Sequence, residues 1–101
     1  MSEANELIHQ ALRLKIMAAL NAAQASGPLE FNRLKALVSA TDGNLSAHLS
    51  TLEGAGYVAL EKDFVGKKPR TRAAITKLGT AAFREHIDYL RKIIEGPSPD
   101  A

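Results

Sequence analysis

The stretch that decides the fold runs from Thr41 to Thr76 and reads TDGNLSAHLSTLEGAGYVALEKDFVGKKPRTRAAIT. Its first part repeats leucine at steps of four and three residues, which is the spacing of one face of a helix. Thr41 is a good N-cap residue, and Gly56 suits the left-handed residue that ends a helix. The pattern predicts a helix from about Asp42 to Ala55, with Leu45, Leu49 and Leu52 turned inward.

The second part of the stretch predicts a β-hairpin. Apolar residues alternate with polar ones from Tyr57 to Phe64, which predicts a strand. A turn is expected over 66–69, because glycine and proline are strong turn formers and two lysines lie between them. The segment from Arg70 to Ile75 predicts the return strand. Its two arginines should share one face, because side chains alternate along a strand.

Two helices are predicted before this stretch. Residues 5–24 have apolar residues at three- and four-residue steps, with no glycine or proline, and they predict one long helix. Gly27 and Pro28 then end it. A very short strand is expected at 29–30, and a second helix from Phe31 to Val38.

A long last helix is predicted after the hairpin. Thr76 caps it, and four of its apolar residues follow steps of 4, 3 and 4, which is coiled-coil spacing. These four are Phe83, Ile87, Leu90 and Ile94. Gly96 and Pro97 stop the helix, so residues 1–95 are expected to form one domain and residues 96–101 a disordered tail.

The order of these elements predicts the fold class. Three helices closed by a two-stranded hairpin make a mainly α fold with a small β-hairpin wing. This is the layout of a winged helix-turn-helix domain, here with extended N- and C-terminal helices. A chain of 101 residues is long enough for one such domain with a small core.

The composition excludes several classes of function. The chain has no cysteine, which removes disulfides, thiolate metal sites and cysteine nucleophiles. Its three histidines lie on three different predicted helices, with no acidic cluster, phosphate loop or nucleophile elbow nearby. We therefore predict no catalytic residues, no metal site and no cofactor. The polar N-terminus and the lack of a long apolar run predict a cytoplasmic protein without a membrane partner.

The charge of the chain is uneven. Its net charge is only +2, yet residues 62–77 hold six basic residues and one acid. A basic patch on a mildly acidic body indicates one surface that faces a polyanion. The alternative is a hairpin whose charges are simply solvated.

Three motifs resemble the winged helix-turn-helix transcriptional regulators of the MarR and ArsR type, and most of all the small single-domain winged helix DNA-binding group. They are LRLKIMAAL (12–20), TDGNLSAHLSTLEGAGYV (41–58) and FVGKKPRTRAAIT (64–76). The resemblance covers about residues 7–94. It implies a homodimeric regulator, expected to be a repressor, that binds double-stranded DNA sequence-specifically. A winged helix used only for protein interaction is the alternative.

The chain departs from the usual pattern of these regulators at several positions. Ser50 and Thr51 stand where such regulators have one or two basic residues. Ser39 stands in a turn that often has glycine, and Ala73 and Ala74 are smaller than the usual wing residues. The first departure weakens the expected hold of the helix on phosphates, so the wing should contribute more of the affinity.

Candidate DNA contacts follow from the inward leucines and the basic turn. The helix is left with a small, polar outer face, which suits the major groove: Asn44, Ser46, Ala47, His48, Ser50 and Thr51. The wing would lie along the backbone or enter the minor groove: Lys67, Lys68, Arg70 and Arg72. Asn44 and Ser46 could instead cap the helix, and His48 could be a structural residue.

A dimer interface is expected on the terminal helices. The coiled-coil residues Phe83, Ile87, Leu90 and Ile94 would pair, with Leu7 and Ile8 from the first helix. A second stripe of His86, Tyr89 and Ile93 would widen this surface. The alternative is that the last helix folds back onto its own core. A small-molecule effector could bind between the wing domain and the dimer helices, but no residue is assigned to it.

Overall fold

The computed structural model describes residues 4–96 as five α-helices, one short 3-10 helix (Gln24–Ser26) and a three-stranded sheet. The helices are α1 (Glu6–His9), α2 (Ala11–Ala22), α3 (Phe31–Val38), α4 (Asp42–Gly54) and α5 (Lys77–Glu95). The strands are β1 (Leu29–Glu30), β2 (Val58–Val65) and β3 (Lys68–Ile75). The predicted fold class, a winged helix with a hairpin wing and a long last helix, is confirmed. The predicted tail of 96–101 lies outside the described residues except for Gly96.

The first predicted helix is in fact two helices. The chain becomes extended at Gln10, with ψ 134°, so α1 ends after one turn. Asn5 caps α1 by accepting hydrogen bonds from the backbone N–H groups of Leu7 and Ile8. The break frees the carbonyl of Leu7 from its helical partner, and the Arg13 guanidinium donates to that carbonyl at 3.3 Å. A side chain therefore compensates for the break that the helical periodicity did not predict.

The core lies between the helices and one face of the sheet. The predicted inward leucines of α4 are confirmed, since none of the three is more than 2% exposed. Met17, which the apolar pattern of the first helix did not single out, is also fully buried. The core residues are Ile8, Ile16, Met17, Leu20, Leu34, Val38, Leu45, Leu49, Leu52, Val58, Ala73 and Phe83.

The turn between α3 and α4 fixes the direction of α4. Ser39 ends α3 in the left-handed conformation, with φ 55° and ψ 47°, which explains why glycine suits this position. Thr41 then caps α4 by accepting from the backbone N–H of Asn44 at 3.2 Å. Lys35 bridges the turn through an ion pair to Asp42 at 2.6 Å.

The sheet has the strand order β1-β3-β2, with both pairs antiparallel. The hairpin turn is shorter than expected, because Val65 already pairs with Lys68 and only Gly66 and Lys67 lie between them. Pro69 was predicted in the turn and instead lies in β3, opposite Phe64. The strand tolerates this proline because β1 covers β3 only at residues 72 and 73, so Pro69 has an open edge.

Helix α5 packs closely against the start of β2 and then runs past the core. Thr76 caps it, as predicted, by accepting from the N–H of Gly79 at 2.9 Å. Gly79 lies directly on the carbonyl of Tyr57, where a Cβ atom would have no room. After His86 no residue of α5 is buried, and residues 91–96 are all exposed. Within residues 4–96, the last part of α5 is therefore uncovered, while residues 87–90 are half-buried.

Candidate nucleic-acid interface

The outer face of α4 is small, polar and accessible. Asn44, Ser46, Ala47 and Ser50 are exposed, and Thr51 is half-buried with its hydroxyl donating to the carbonyl of Ala47 at 3.1 Å. The cap of the helix is supplied by Thr41, so capping does not occupy the side chains of Asn44 and Ser46. The face thus offers an amide, hydroxyls and a methyl group to a partner.

His48 has a structural partner. It is half-buried, and its Nδ1 accepts a hydrogen bond from the Arg13 Nε at 3.0 Å. Arg13 connects the break after α1 to His48 of α4, because the same guanidinium also donates to the Leu7 carbonyl. The structural role that sequence reasoning left open for His48 is therefore present.

Helix α4 has no positive charge of its own. Its sequence, DGNLSAHLSTLEG, contains two acids and no lysine or arginine, and Asp42 is paired with Lys35. Any electrostatic attraction to a polyanion must therefore come from other elements. The nearest large group of cations is in the hairpin.

The two arginines of the hairpin are engaged inside the chain. Arg70 donates to both carboxylate oxygens of Asp63, at 2.9 and 2.6 Å, and lies 3.7 Å from Glu30. Arg72 pairs with Glu61 at 2.8 Å and lies 3.5 Å from Asp63. The hydrogen bonds from Arg70 hold the pKa of Asp63 below its ordinary value, although partial desolvation opposes them. This carboxylate therefore stays ionised, and the pairs persist, at neutral pH.

These pairs correct the charge count made from the sequence. The window of 62–77 omitted Glu61 and Glu30, which the fold brings against Arg72 and Arg70. Three lysines near the turn remain exposed, and none of them forms an ion pair within residues 4–96: Lys62, Lys67 and Lys68. The freely accessible positive charge of the hairpin is thus on its lysines, and Lys62 was not among the predicted contacts.

The alternation of β2 and β3 separates two kinds of surface. The inner face holds Val58 and Ala73 against the helices, and the same alternation puts Lys62 and Phe64 on that side farther along β2. The outer face has the arginine–carboxylate pairs. The expectation that the two arginines share a face is confirmed, but this face is the one turned away from the core that holds α4.

Two predicted dimer residues are covered by their own chain. Ile8 is fully buried and Phe83 is 8% exposed, so neither is free to form most of an interface, and the expectation for them is corrected. Leu7, Ile87 and Leu90 are half-buried, whereas Ile94 is 82% exposed. The apolar surface that remains is therefore at the C-terminal half of α5.

His86 was expected on a surface stripe and is instead fully buried. Its Nδ1 accepts from the backbone N–H of Asn5 at 3.0 Å, and its ring contacts His9 edge-on and stacks on Tyr89. Its Nε2 has no hydrogen-bond partner within residues 4–96. Burial lowers the pKa of His86, nearby His9 lowers it further, and Glu6 opposes the shift. His86 is thus neutral and connects the start of α1 to α5.

Residues 4–96 contain no group of three or more histidine and acidic side chains placed to hold a metal ion. Over the same range, every helix is too short or too polar to cross a lipid bilayer.

Comparison with known proteins agrees with this geometry. Residues 12–94 match the family described as winged helix DNA-binding domain. An uncharacterised protein of Methanocaldococcus jannaschii is 35% identical over 82 residues, which are 81% of this chain and 86% of that protein. The family is one of DNA-binding domains, in keeping with the prediction that the chain is not an enzyme.

Solved structures share the fold. A transcriptional regulator homologue from Pyrococcus horikoshii superposes with a TM-score of 0.81 at 27% identity, covering 91% of this chain and 88% of that one. A MarR-family transcriptional regulator from Silicibacter pomeroyi gives a TM-score of 0.69 at 21% identity, with coverage of 93% and 63%. The chain belongs to the winged helix DNA-binding domain family and is similar in structure to MarR-type transcriptional regulators.

Proposed function

We propose that this protein binds double-stranded DNA sequence-specifically as a homodimer and represses transcription by occupying its site. The observation that carries the proposal is the position of α4. Its exposed residues 44, 46, 47 and 50 are small and uncharged, and α4 packs on the same side of the sheet as the inner face of the hairpin, which carries Lys62. A duplex docked on that side would meet a base-reading helix and a cationic wing together.

The helix would select the sequence. The major groove accepts one α-helix, and an asparagine can form two hydrogen bonds with adenine. Asn44 is in the first turn of α4 and exposed, and its amide is not used for capping. Ser46, Ala47 and Ser50 would contact bases, sugars or phosphates, and their small size lets the helix lie deep in the groove.

The wing would supply the electrostatic part of the affinity. Lys67 and Lys68 are exposed at the tip of the hairpin, and Lys62 lies on its inner face. Contacts with phosphates fix the register of a protein on DNA without selecting a sequence. Arg70 and Arg72 would stay in their ion pairs and order the two strands, so they are removed from the proposed set of direct contacts.

Two chains would pair through α5. Regulators with one recognition helix per chain read two half-sites about 34 Å apart, one helical turn of DNA. Ile87, Leu90, Ile93 and Ile94 lie on the part of α5 that the chain leaves without buried residues. A second copy would cover these side chains. No effector molecule is part of this proposal.

A salt titration tests the DNA proposal against a protein-interaction role. Fluorescence anisotropy would follow the binding of labelled duplexes of random sequence from low to moderate salt. A protein that contacts several phosphates gives a steep linear fall of log affinity with log salt, about 0.9 per phosphate. If the chain does not bind duplexes even at low salt, a winged helix that binds only proteins is favoured. Such a result would fit the lack of lysine and arginine in α4 and the pairing of the hairpin arginines.

A further inference from the structure

Phe64 is a large aromatic side chain near the tip of the wing, and it is 70% exposed. It lies opposite Pro69 and one residue from the end of the hairpin strand pair, beyond the reach of β1. No described helix buries it. Phe64 and the exposed Pro69 opposite it form one apolar patch at this end of the hairpin, and covering such a patch with a partner is favourable.

The neighbours of Phe64 are cationic. Lys62 precedes it on the same face of β2, Lys67 lies in the turn, and Lys68 lies opposite Val65 on the other face at the tip. The carboxylates of the hairpin, Glu61 and Asp63, are on the opposite face and paired with arginines. An apolar ring set among lysines fits a partner that combines negative charge with apolar surface close by.

The local backbone makes this ring a fixed projection. Pro69 has a fixed φ and no N–H group, so it stiffens β3 and keeps another strand from pairing with its open edge. The hairpin turn has only two residues, Gly66 and Lys67. Both strands are therefore ordered up to the position of Phe64.

We propose that Phe64 inserts into the minor groove of the bound duplex, where its ring contacts deoxyribose and opens one base-pair step. The inference rests on the proposed function, since it assumes that α4 occupies the adjacent major groove. Apolar side chains that enter the minor groove unstack a step and bend the duplex, and pyrimidine–purine steps open most readily. The lysines bind the flanking phosphates while the ring enters the opened base-pair step. The wing therefore adds selectivity for a deformable step to its electrostatic role.

Affinity and bending, measured together, test this contact. A site selected by the wild-type chain would be labelled at both ends for energy transfer, and binding would be measured over a range of salt. Phe64→Ala should weaken binding about tenfold and reduce the bend, yet leave the salt slope unchanged, since no charge is lost. Lys68→Ala should flatten the slope. Val65→Ala, at an exposed apolar side chain on the other face, is the matched control and should change neither.

Phe64→Trp gives a direct readout, because the chain contains no tryptophan. On adding the duplex, its fluorescence should be quenched and its accessibility to acrylamide should fall. If Phe64→Ala binds and bends the duplex as the wild type does, this inference is overturned and the proposed function is left intact. A blue shift of the Phe64→Trp emission with anionic lipid vesicles, but not with duplex, would also overturn this inference. A change in oligomeric mass in Phe64→Ala would overturn it as well. A wild-type chain that binds no duplex would overturn both proposals.

Discussion

Arg70 and Asp63 face each other across the hairpin, and the guanidinium donates to both carboxylate oxygens at 2.9 and 2.6 Å. A bidentate pair of this kind fixes the geometry of two opposite side chains. It also neutralises an arginine that the sequence alone marks as a phosphate contact. The wing of this protein is therefore ordered by its arginines and charged by its lysines.

Variants of Lys68 and of the Arg70–Asp63 pair test whether the lysines of the wing, and not its arginines, bind phosphates. We expect Lys68→Ala to weaken binding to all duplexes and to lower the slope of log affinity against log salt by about 0.9. The double variant Asp63→Asn with Arg70→Gln keeps the net charge and should retain the wild-type slope. A loss of slope in the double variant equal to that in Lys68→Ala would mean that Arg70 leaves its partner and binds a phosphate.

The buried His86 should make the stability of the fold depend on pH. Its pKa is lowered in the folded chain, so the unfolded chain binds more protons once the pH falls below the ordinary value of 6.5. Stability should therefore be full above that value and decline as the pH falls toward 5. Protonation of Nδ1 would also break the hydrogen bond from Asn5.

Denaturant unfolding at pH 7.5 and at pH 5 measures this effect at a fixed protein concentration. His86→Phe should show a smaller loss of unfolding free energy between the two pH values than the wild type. An identical loss in His86→Phe would assign the pH dependence to other groups.

Gly79 should be intolerant of any side chain. A Cβ atom there would overlap the carbonyl of Tyr57, which also accepts from the backbone N–H of Thr76 at 3.0 Å, so backbone is fixed on both sides. Gly79→Ala is expected to cost about 2–4 kcal/mol of stability. Gly54→Ala is the control: it has open space at the end of α4 and should gain up to about 1 kcal/mol. Thermal unfolding of both variants checks the contrast.

The C-terminal half of α5 should determine the oligomeric state. Leu90→Asp and Ile94→Asp would introduce charge into the apolar surface that a second copy is proposed to cover, and sedimentation at micromolar concentration should then give the mass of one chain. Leu37→Asp, at an exposed leucine of α3, should keep the dimer mass. A wild-type chain with the mass of one chain would contradict the proposed pairing.

The elements that the sequence predicted are those whose pattern lies within a short run of neighbouring residues. Thr41 and Thr76 act as caps, and the leucines of α4 face the core. Each of these follows from helical spacing or from the chemistry of a single residue. The break at Gln10 had no such signal, because nothing in its own sequence opposes a helix and the freed carbonyl is bonded by Arg13.

The parts of the site that sequence reasoning missed depend on contacts between distant residues. Glu30 meets Arg70 only because β1 pairs with β3, and His86 is buried only because α1 folds over α5. The alternation of β2 could have indicated that Lys62 and Phe64 share the inner face, since both positions follow Val58 and Leu60 by even steps. A count of charges does not show which face of the strand each charge occupies.

The central claim is that α4 reads bases in the major groove, and selection from a random duplex pool tests it most directly. The wild-type chain should enrich a motif of two half-sites with centres about one helical turn apart. Asn44→Ala should still bind but lose discrimination at one position in each half-site, by about 1–3 kcal/mol per lost contact. A pool that remains random after selection with the wild-type chain, or a motif that Asn44→Ala leaves unchanged, would contradict the assignment of α4 as the reading helix.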